Sequence, residues 1–223
     1  MRMIAYPPVN LCMETKDDEI LTIIIEHPGV FYDIVSDISS QTDGMSGNFV
    51  ISENYETISI YKNAEIITRF VPFSANSKEL LNKVYTFLAR EAMSETMIRQ
   101  TYDLMSSIES YIYELTRNVS AELNIDSTND ISGLLKMFNV SFSDSEMPLP
   151  ERLIEYMDAV CEFIKKKVFI TVNLRSYIND DQAELFFKDV LLRNITLICI
   201  ENCEHNNTRY EKRVIIDNDR CVI

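Results

Sequence analysis

Glycine and histidine are scarce in this sequence. Its 223 residues include four glycines and two histidines, and none of the glycines directly precedes a lysine. A nucleotide-binding phosphate loop needs the pattern G-x-x-x-x-G-K-[ST], because its glycines let backbone N–H groups surround the phosphates. The sequence lacks this loop, and two histidines leave little for acid–base catalysis by imidazole. We therefore expect a protein that is not an enzyme.

Long apolar runs are also missing. The longest, at 20–25, 168–174 and 195–200, are far shorter than the ~20 residues of a membrane-spanning helix. The start of the chain shows no signal-peptide pattern, and the five cysteines have no disulfide-framework spacing. Since 46% of the residues are hydrophobic, the sequence predicts a globular protein of the reducing cytoplasm, without a membrane partner.

Acidic residues outnumber basic ones by 35 to 21, for a net charge of −14. This balance argues against nucleic-acid binding, which uses Lys and Arg to neutralise phosphates. The charges are unevenly distributed, however, because residues 165–223 carry ten basic and nine acidic side chains. A small basic face on an acidic protein is compatible with this distribution.

Both ends of the chain have an α/β pattern. In the first part, the apolar run at 20–25 predicts a strand buried on both sides, and apolar residues at helical spacing over 30–38 predict a helix. Strands are also predicted at 49–51, 57–61 and 65–71, the first two forming a hairpin. In the last part, strands at 168–174 and 195–200 flank a helix at 181–192, so we expect these two strands to be parallel.

The middle of the chain is helical. A helical period continues from residue 80 to 119 without Pro or Gly, after a possible capping box of Asn76 and Glu79, and predicts a broken or bent pair of long helices. A short helix over 131–138 and another that begins near Pro148 follow. The sequence thus predicts an α/β head domain from residues 1–75 and 165–223, interrupted by an all-helical leg domain at 76–164.

Residues 26–31 occupy the position of a phosphate loop, directly after the first buried strand. This stretch, EHPGVF, has one Gly, no Lys, and a Pro that removes one donor N–H. We interpret it as a packing element that does not hydrolyse nucleotide, with His27 as a turn residue whose hydrogen bonds are satisfied.

An acidic segment at 122–130 has oxygen-bearing side chains at every second position. Its candidate calcium ligands are Glu122, Asn124, Asp126 and Asp130, since calcium prefers several oxygen ligands. The Gly and the distal Glu of an EF-hand loop are missing. Helix capping by Asp130 is the alternative interpretation.

Three consecutive lysines, Lys165, Lys166 and Lys167, follow the last helix of the middle region. Cations at this position complement the helix dipole, which is a sufficient structural explanation. Contact with phosphate is the other interpretation, and it needs further basic residues on the same surface. Lys136 and Arg175 are among those available.

Several segments together resemble one known family. The sequence resembles the small accessory subunit of type II-A CRISPR adaptation, a ring-forming DNA-binding protein encoded beside the effector nuclease and the integrase pair. The resemblance extends through nearly the whole chain, and no single segment is diagnostic. The segments that carry it are IEHPGVF at 25–31, GMSGNFVIS at 44–52, LLK at 134–136, KKVFITVNLRSY at 166–177 and VIIDND at 214–219.

The resemblance implies a degenerate P-loop-NTPase-like head interrupted by a helical leg. It implies a homotetrameric ring that binds double-stranded DNA ends without sequence preference and supports spacer acquisition with the integrase and effector nuclease. It also implies calcium near the hinge, at Glu122, Asn124, Asp126 and Asp130, and DNA-binding lysines at Lys136 and Lys165–Lys167. To these lysines we add Arg175 as a candidate DNA-binding residue.

Two other functions remain open. One is a weak NTPase or nuclease that uses the loop at 26–31 and the acidic segment. The other is a protein-only scaffold whose acidic surface binds partner subunits.

Overall fold

The computed structural model describes residues 2–126, 128–143 and 147–223. The chain forms two compact units, one from residues 1–75 and 144–223 and the other from residues 76–143. In the described residues, no helix is both long and apolar enough to cross a membrane.

The first unit contains the strands of two sheets. An antiparallel sheet has the order β2-β1-β4-β5, and a parallel sheet has the order β6-β7-β8-β3-β9. The strands are β1 (Arg2–Tyr6), β2 (Leu11–Thr15), β3 (Ile20–Ile25), β4 (Val50–Glu53), β5 (Glu56–Thr57), β6 (Ala64–Ile67), β7 (Val168–Val172), β8 (Thr196–Glu201) and β9 (Glu211–Ile216).

The parallel sheet holds the core of this unit. All six residues of β3 are buried, and β3 pairs with β8 on one side and β9 on the other. β7 and β8 are parallel, with Phe169 opposite Leu197. The predicted mixed α/β class and the parallel pairing are therefore confirmed. The branched apolar runs are continuous and of strand length, as expected for strands that are covered on both faces.

Seven helices lie in the described residues. Four belong to the first unit and three to the second. They are α1 (Pro28–Thr42), α2 (Ile60–Asn63), α3 (Lys78–Ala92), α4 (Ile98–Thr116), α5 (Ile131–Met137), α6 (Leu149–Ala159) and α7 (Asp180–Leu192).

The structure differs from the sequence-based assignment at the second domain boundary. The helical unit ends at residue 143 rather than 164, because α6 and the π-helical turn Val160–Ile164 belong to the first unit. The apolar side of α6, including Leu153 and Met157, is fully buried there and packs beside α7. Burial of this side determines which unit the helix joins.

Two local assignments were wrong. Residues 57–61 are not one strand, since β5 ends at Thr57 and α2 begins at Ile60, whose side chain is buried. The cap of α3 is Ser77, whose hydroxyl accepts a hydrogen bond from Leu80 N. Asn76 instead uses its amide to bind both the N–H and the carbonyl of Phe142, at 2.8 and 3.0 Å.

Within the second unit, α3 packs against α5. The Tyr85 hydroxyl of α3 donates a 2.6 Å hydrogen bond to the Val140 carbonyl just after α5. The predicted long helical stretch is broken between Ala92 and Ile98, where the Thr101 hydroxyl donates to the Ala92 carbonyl at 2.7 Å.

Candidate nucleic-acid interface and the phosphate-loop position

The turn between β3 and α1 is short, and its backbone amides are bonded within the protein. Only Glu26 and His27 separate the strand from the helix. The His27 ring caps the helix, because its Nδ1 accepts hydrogen bonds from Gly29 N at 3.1 Å and Val30 N at 3.3 Å. These are the kind of N–H groups at a helix N-terminus that would bind a phosphate. The interpretation of His27 as a satisfied turn residue is confirmed.

The end of the chain covers the same turn. The Arg220 guanidinium lies 3.4 Å from Nε2 of His27, and the Asn218 amide donates to the Glu26 carboxylate at 3.3 Å. The Asp217 carboxylate holds this segment in a turn by accepting from Asp219 N and Cys221 N. The phosphate-loop position is therefore closed in its hydrogen bonding, although Glu26 and Gly29 remain exposed to solvent.

A buried ion-pair cluster lies beside the parallel sheet. Arg175 contacts Asp180 at 2.6 Å and Glu211 at 3.3 Å, and Arg213 contacts Glu211 at 3.1 Å. The Arg175 side chain is 1% exposed. Its guanidinium has no surface free for a DNA phosphate, so the proposed DNA-binding role of Arg175 does not fit the structure.

The three carboxylates around Arg175 differ in their pKa. Burial raises the pKa of Glu201 to about 7, although its carboxylate accepts from Arg175 N at 3.2 Å. Burial also acts to raise the pKa of Glu211, but hydrogen bonds from Thr208 and Thr22 and the charge of Arg213 outweigh it and lower that pKa. The Asn206 hydrogen bond, followed by Arg175, lowers the pKa of Asp180. Below the pKa of Glu201, where this carboxyl group is neutral, the two arginines balance Asp180 and Glu211.

The lysine triplet divides into two exposed side chains and one buried side chain. Lys166 is paired with Glu65 at 2.8 Å, and its side chain is 11% exposed, so phosphate contact by Lys166 does not fit the structure. Lys165 and Lys167 are exposed. Both residues lie between the helical turn that ends at Ile164 and the start of β7. They therefore occupy a helix C-terminus, where cations complement the helix dipole.

Sequence reasoning missed Lys62, which joins this edge of the sheet. The N–H of Lys167 donates to the Asn63 carbonyl at 3.2 Å, which brings the exposed Lys62 of α2 near the lysine triplet. The pairing of β6 with β7 produces this proximity, and no local sequence signal indicates it. We call Lys62, Lys165 and Lys167 the basic edge.

Lys136 belongs to the other unit. It is exposed in the last turn of α5, where a cation complements the helix dipole.

The predicted calcium ligands lie in an exposed segment of the chain. Glu122, Asn124 and Asp126 are exposed residues outside any helix or strand, and Ser127 lies outside the described residues. The Asp130 carboxylate caps α5 by accepting from Gly133 N at 2.9 Å, which confirms the capping interpretation. In the described parts of the chain, no group of three or more His, Cys, Asp or Glu side chains could hold a metal ion.

Comparison with protein families gives a clear result. A family model described as CRISPR-associated protein (Cas_Csn2) matches residues 41–220. The chain belongs to this family. Membership assigns the Cas_Csn2 chain a role in CRISPR adaptation, in agreement with the resemblance found in the sequence.

A solved structure shows the same general fold as this Cas_Csn2 chain. It is the ADP conformation of MJ1267, an ATP-binding cassette of an ABC transporter, with 10% sequence identity and a TM-score of 0.50. The similarity covers 100% of this chain and 90% of that one. At this identity the similarity concerns the fold alone. A comparison with curated proteins finds no match.

Proposed function

We propose that this Cas_Csn2 protein binds the ends of double-stranded DNA without sequence preference. In this proposal it acts as a homotetrameric ring during acquisition of new spacers, together with the integrase and effector nuclease subunits. The observation that carries the proposal is the basic edge, three exposed lysines on a protein of the Cas_Csn2 family that is otherwise strongly acidic.

A ring would concentrate the few available cations. One chain with a net charge of −14 repels DNA over most of its surface. Four copies with their basic edges facing a central opening would present many lysines to one duplex. Lysine contacts to phosphate position DNA but carry no sequence information, so binding without sequence preference is expected.

The surface of α4 supports self-association. Large hydrophobic side chains of this helix are 37–62% exposed, although water is a poor environment for them. They include Ile98, Tyr102, Leu104, Tyr111, Ile112, Tyr113 and Leu115. A second copy of the chain would bury such side chains in a ring.

The closed phosphate-loop position supports a role without nucleotide hydrolysis. The amides of Gly29 and Val30, which a phosphate would need, are already bonded to His27. The head would then be a degenerate P-loop-NTPase-like domain that has kept the sheet and lost the nucleotide site.

The experiment compares binding of linear and closed-circular duplex of the same sequence, with molar mass measured in the same buffer. We expect a tetramer that binds linear DNA more tightly, with affinity that falls steeply with salt. The binding measurements on linear and on circular DNA are each repeated with calcium and with a chelator. A strictly monomeric protein, or equal binding to circular DNA, would contradict the proposal.

A pair of variants tests the basic edge itself. Lys165→Gln with Lys167→Gln should reduce the slope of log affinity against log salt, by about 0.9 for each lost phosphate contact. The matched control is Lys16→Gln with Lys188→Gln, which removes two exposed lysines from other positions. An equal slope in both double variants would show that the basic edge does not contact DNA phosphates.

A further inference from the structure

A groove lies between α6 and α7 in the first unit. Its volume is about 490 Å³, and apolar side chains from both helices line it. Ile154 and Phe186 are buried beneath it, whereas Leu185 is 64% exposed. An exposed leucine beside a concave apolar surface is a typical feature of a protein-binding site.

Carboxylates surround this apolar surface. Glu151 and Glu155 project from successive turns of α6, and Asp189 lies one turn after Leu185 on α7. All three are exposed, and none forms an ion pair within the part of the chain that the structure describes. The basic residue of the lining, Arg193, is paired with Asp158 at 3.0 Å. The rim of the groove is therefore negative.

The charge of the rim determines what can occupy the groove. The phosphates of DNA would be repelled by this rim. An apolar floor with a negative rim matches a segment that has apolar residues on one face and Lys or Arg at the sides. A helix with anchors at i, i+4 spacing is the common form of such a segment in a groove between helices.

We propose that the groove between α6 and α7 binds a basic amphipathic helix of another protein. Leu185 and the buried Ile154 and Phe186 would contact its apolar face, and Glu151, Glu155 and Asp189 would pair with its cations. This surface is separate from the basic edge, and the proposal does not depend on DNA binding.

The probe is a fluorescent peptide of about 15 residues with leucines on one helical face and lysines beside them. We expect micromolar binding by fluorescence anisotropy, and protection of α6 and α7 amides from hydrogen exchange when the peptide is bound. A peptide of the same composition, permuted so that its leucines share no face, should bind at least tenfold more weakly.

Two variants of the groove test the two parts of the interaction. The triple variant Glu151→Gln, Glu155→Gln and Asp189→Asn should weaken peptide binding about tenfold, and so should Leu185→Ser. The matched control neutralises three exposed carboxylates of the other unit, Glu91→Gln, Glu95→Gln and Asp103→Asn. It changes the net charge equally and should leave the affinity within about twofold.

Several results would overturn the proposal. Absence of binding at millimolar peptide, or equal binding of the permuted peptide, would exclude a specific groove site. Equal weakening in the control would show general attraction to an acidic protein. If the triple variant or Leu185→Ser changed the molar mass of the protein, a second copy of the chain would be the occupant instead.

Discussion

The substitution Glu201→Gln should make the protein more stable at alkaline pH. Glu201 is completely buried at the end of β8, where one carboxylate oxygen accepts from Arg175 N and the other has no hydrogen-bond partner among the residues that the structure describes. His205 Nε2 lies 3.9 Å from that second oxygen. Glutamine has nearly the same shape and can accept the same backbone hydrogen bond, but it never carries a buried negative charge.

The size of the effect follows from the pKa of Glu201. Burial raises this pKa from 4.5 to about 7, so the folded protein holds a proton that the unfolded chain releases. The contribution of the protonated group to stability is complete below pH 4.5 and is lost as the pH rises through about 7. The full difference corresponds to about 3 kcal/mol, and most of it falls between about pH 5 and pH 8.

Urea unfolding at a series of pH values measures this difference. The free energy of unfolding of Glu201→Gln should exceed that of the unchanged protein by an amount that grows by about 2.5 kcal/mol from about pH 5 to pH 8. The lowered pKa values of Asp180 and Glu211 act in the opposite direction, but they are present in both proteins. The exposed neighbour variant Glu204→Gln is the control and should show no such growth. A constant difference across this range would refute the raised pKa of Glu201.

Substitutions at two other residues, Arg175 and His27, test the remaining assignments. Arg175→Ala should lower the free energy of unfolding by about 3 kcal/mol, because the buried Glu211 would lose one of the two arginines paired with it. The milder Arg175→Lys should leave the slope of log DNA affinity against log salt unchanged. A reduced slope would show that Arg175 contacts DNA. His27→Ala should cost about 1 kcal/mol through loss of the α1 cap. Neither it nor the unchanged protein should bind a fluorescent ATP analogue, and saturable binding by the unchanged protein would contradict the closed turn.

Local sequence pattern was sufficient for elements that depend on their own residues. The run at 20–25 is apolar at nearly every position, so only a strand covered on both faces suits it. The N-cap of α5 could also be predicted from the sequence, because Asp130 bonds to the backbone of Gly133 only three residues later. In contrast, β1 was missed. It pairs with the adjacent β2 and also with Val50–Glu53 far along the chain, and no local pattern indicates the second pairing.

The sequence by itself determined the α/β pattern, the absence of a phosphate-loop motif and the resemblance to a CRISPR-associated family. Only the tertiary structure decided which cations are available to a ligand. Lys166 and Arg175 are basic residues like their neighbours, but folding brings Glu65 and Glu211 to them from positions 101 and 36 residues away. A buried cation requires such a partner, and no local pattern specifies a partner so remote in sequence.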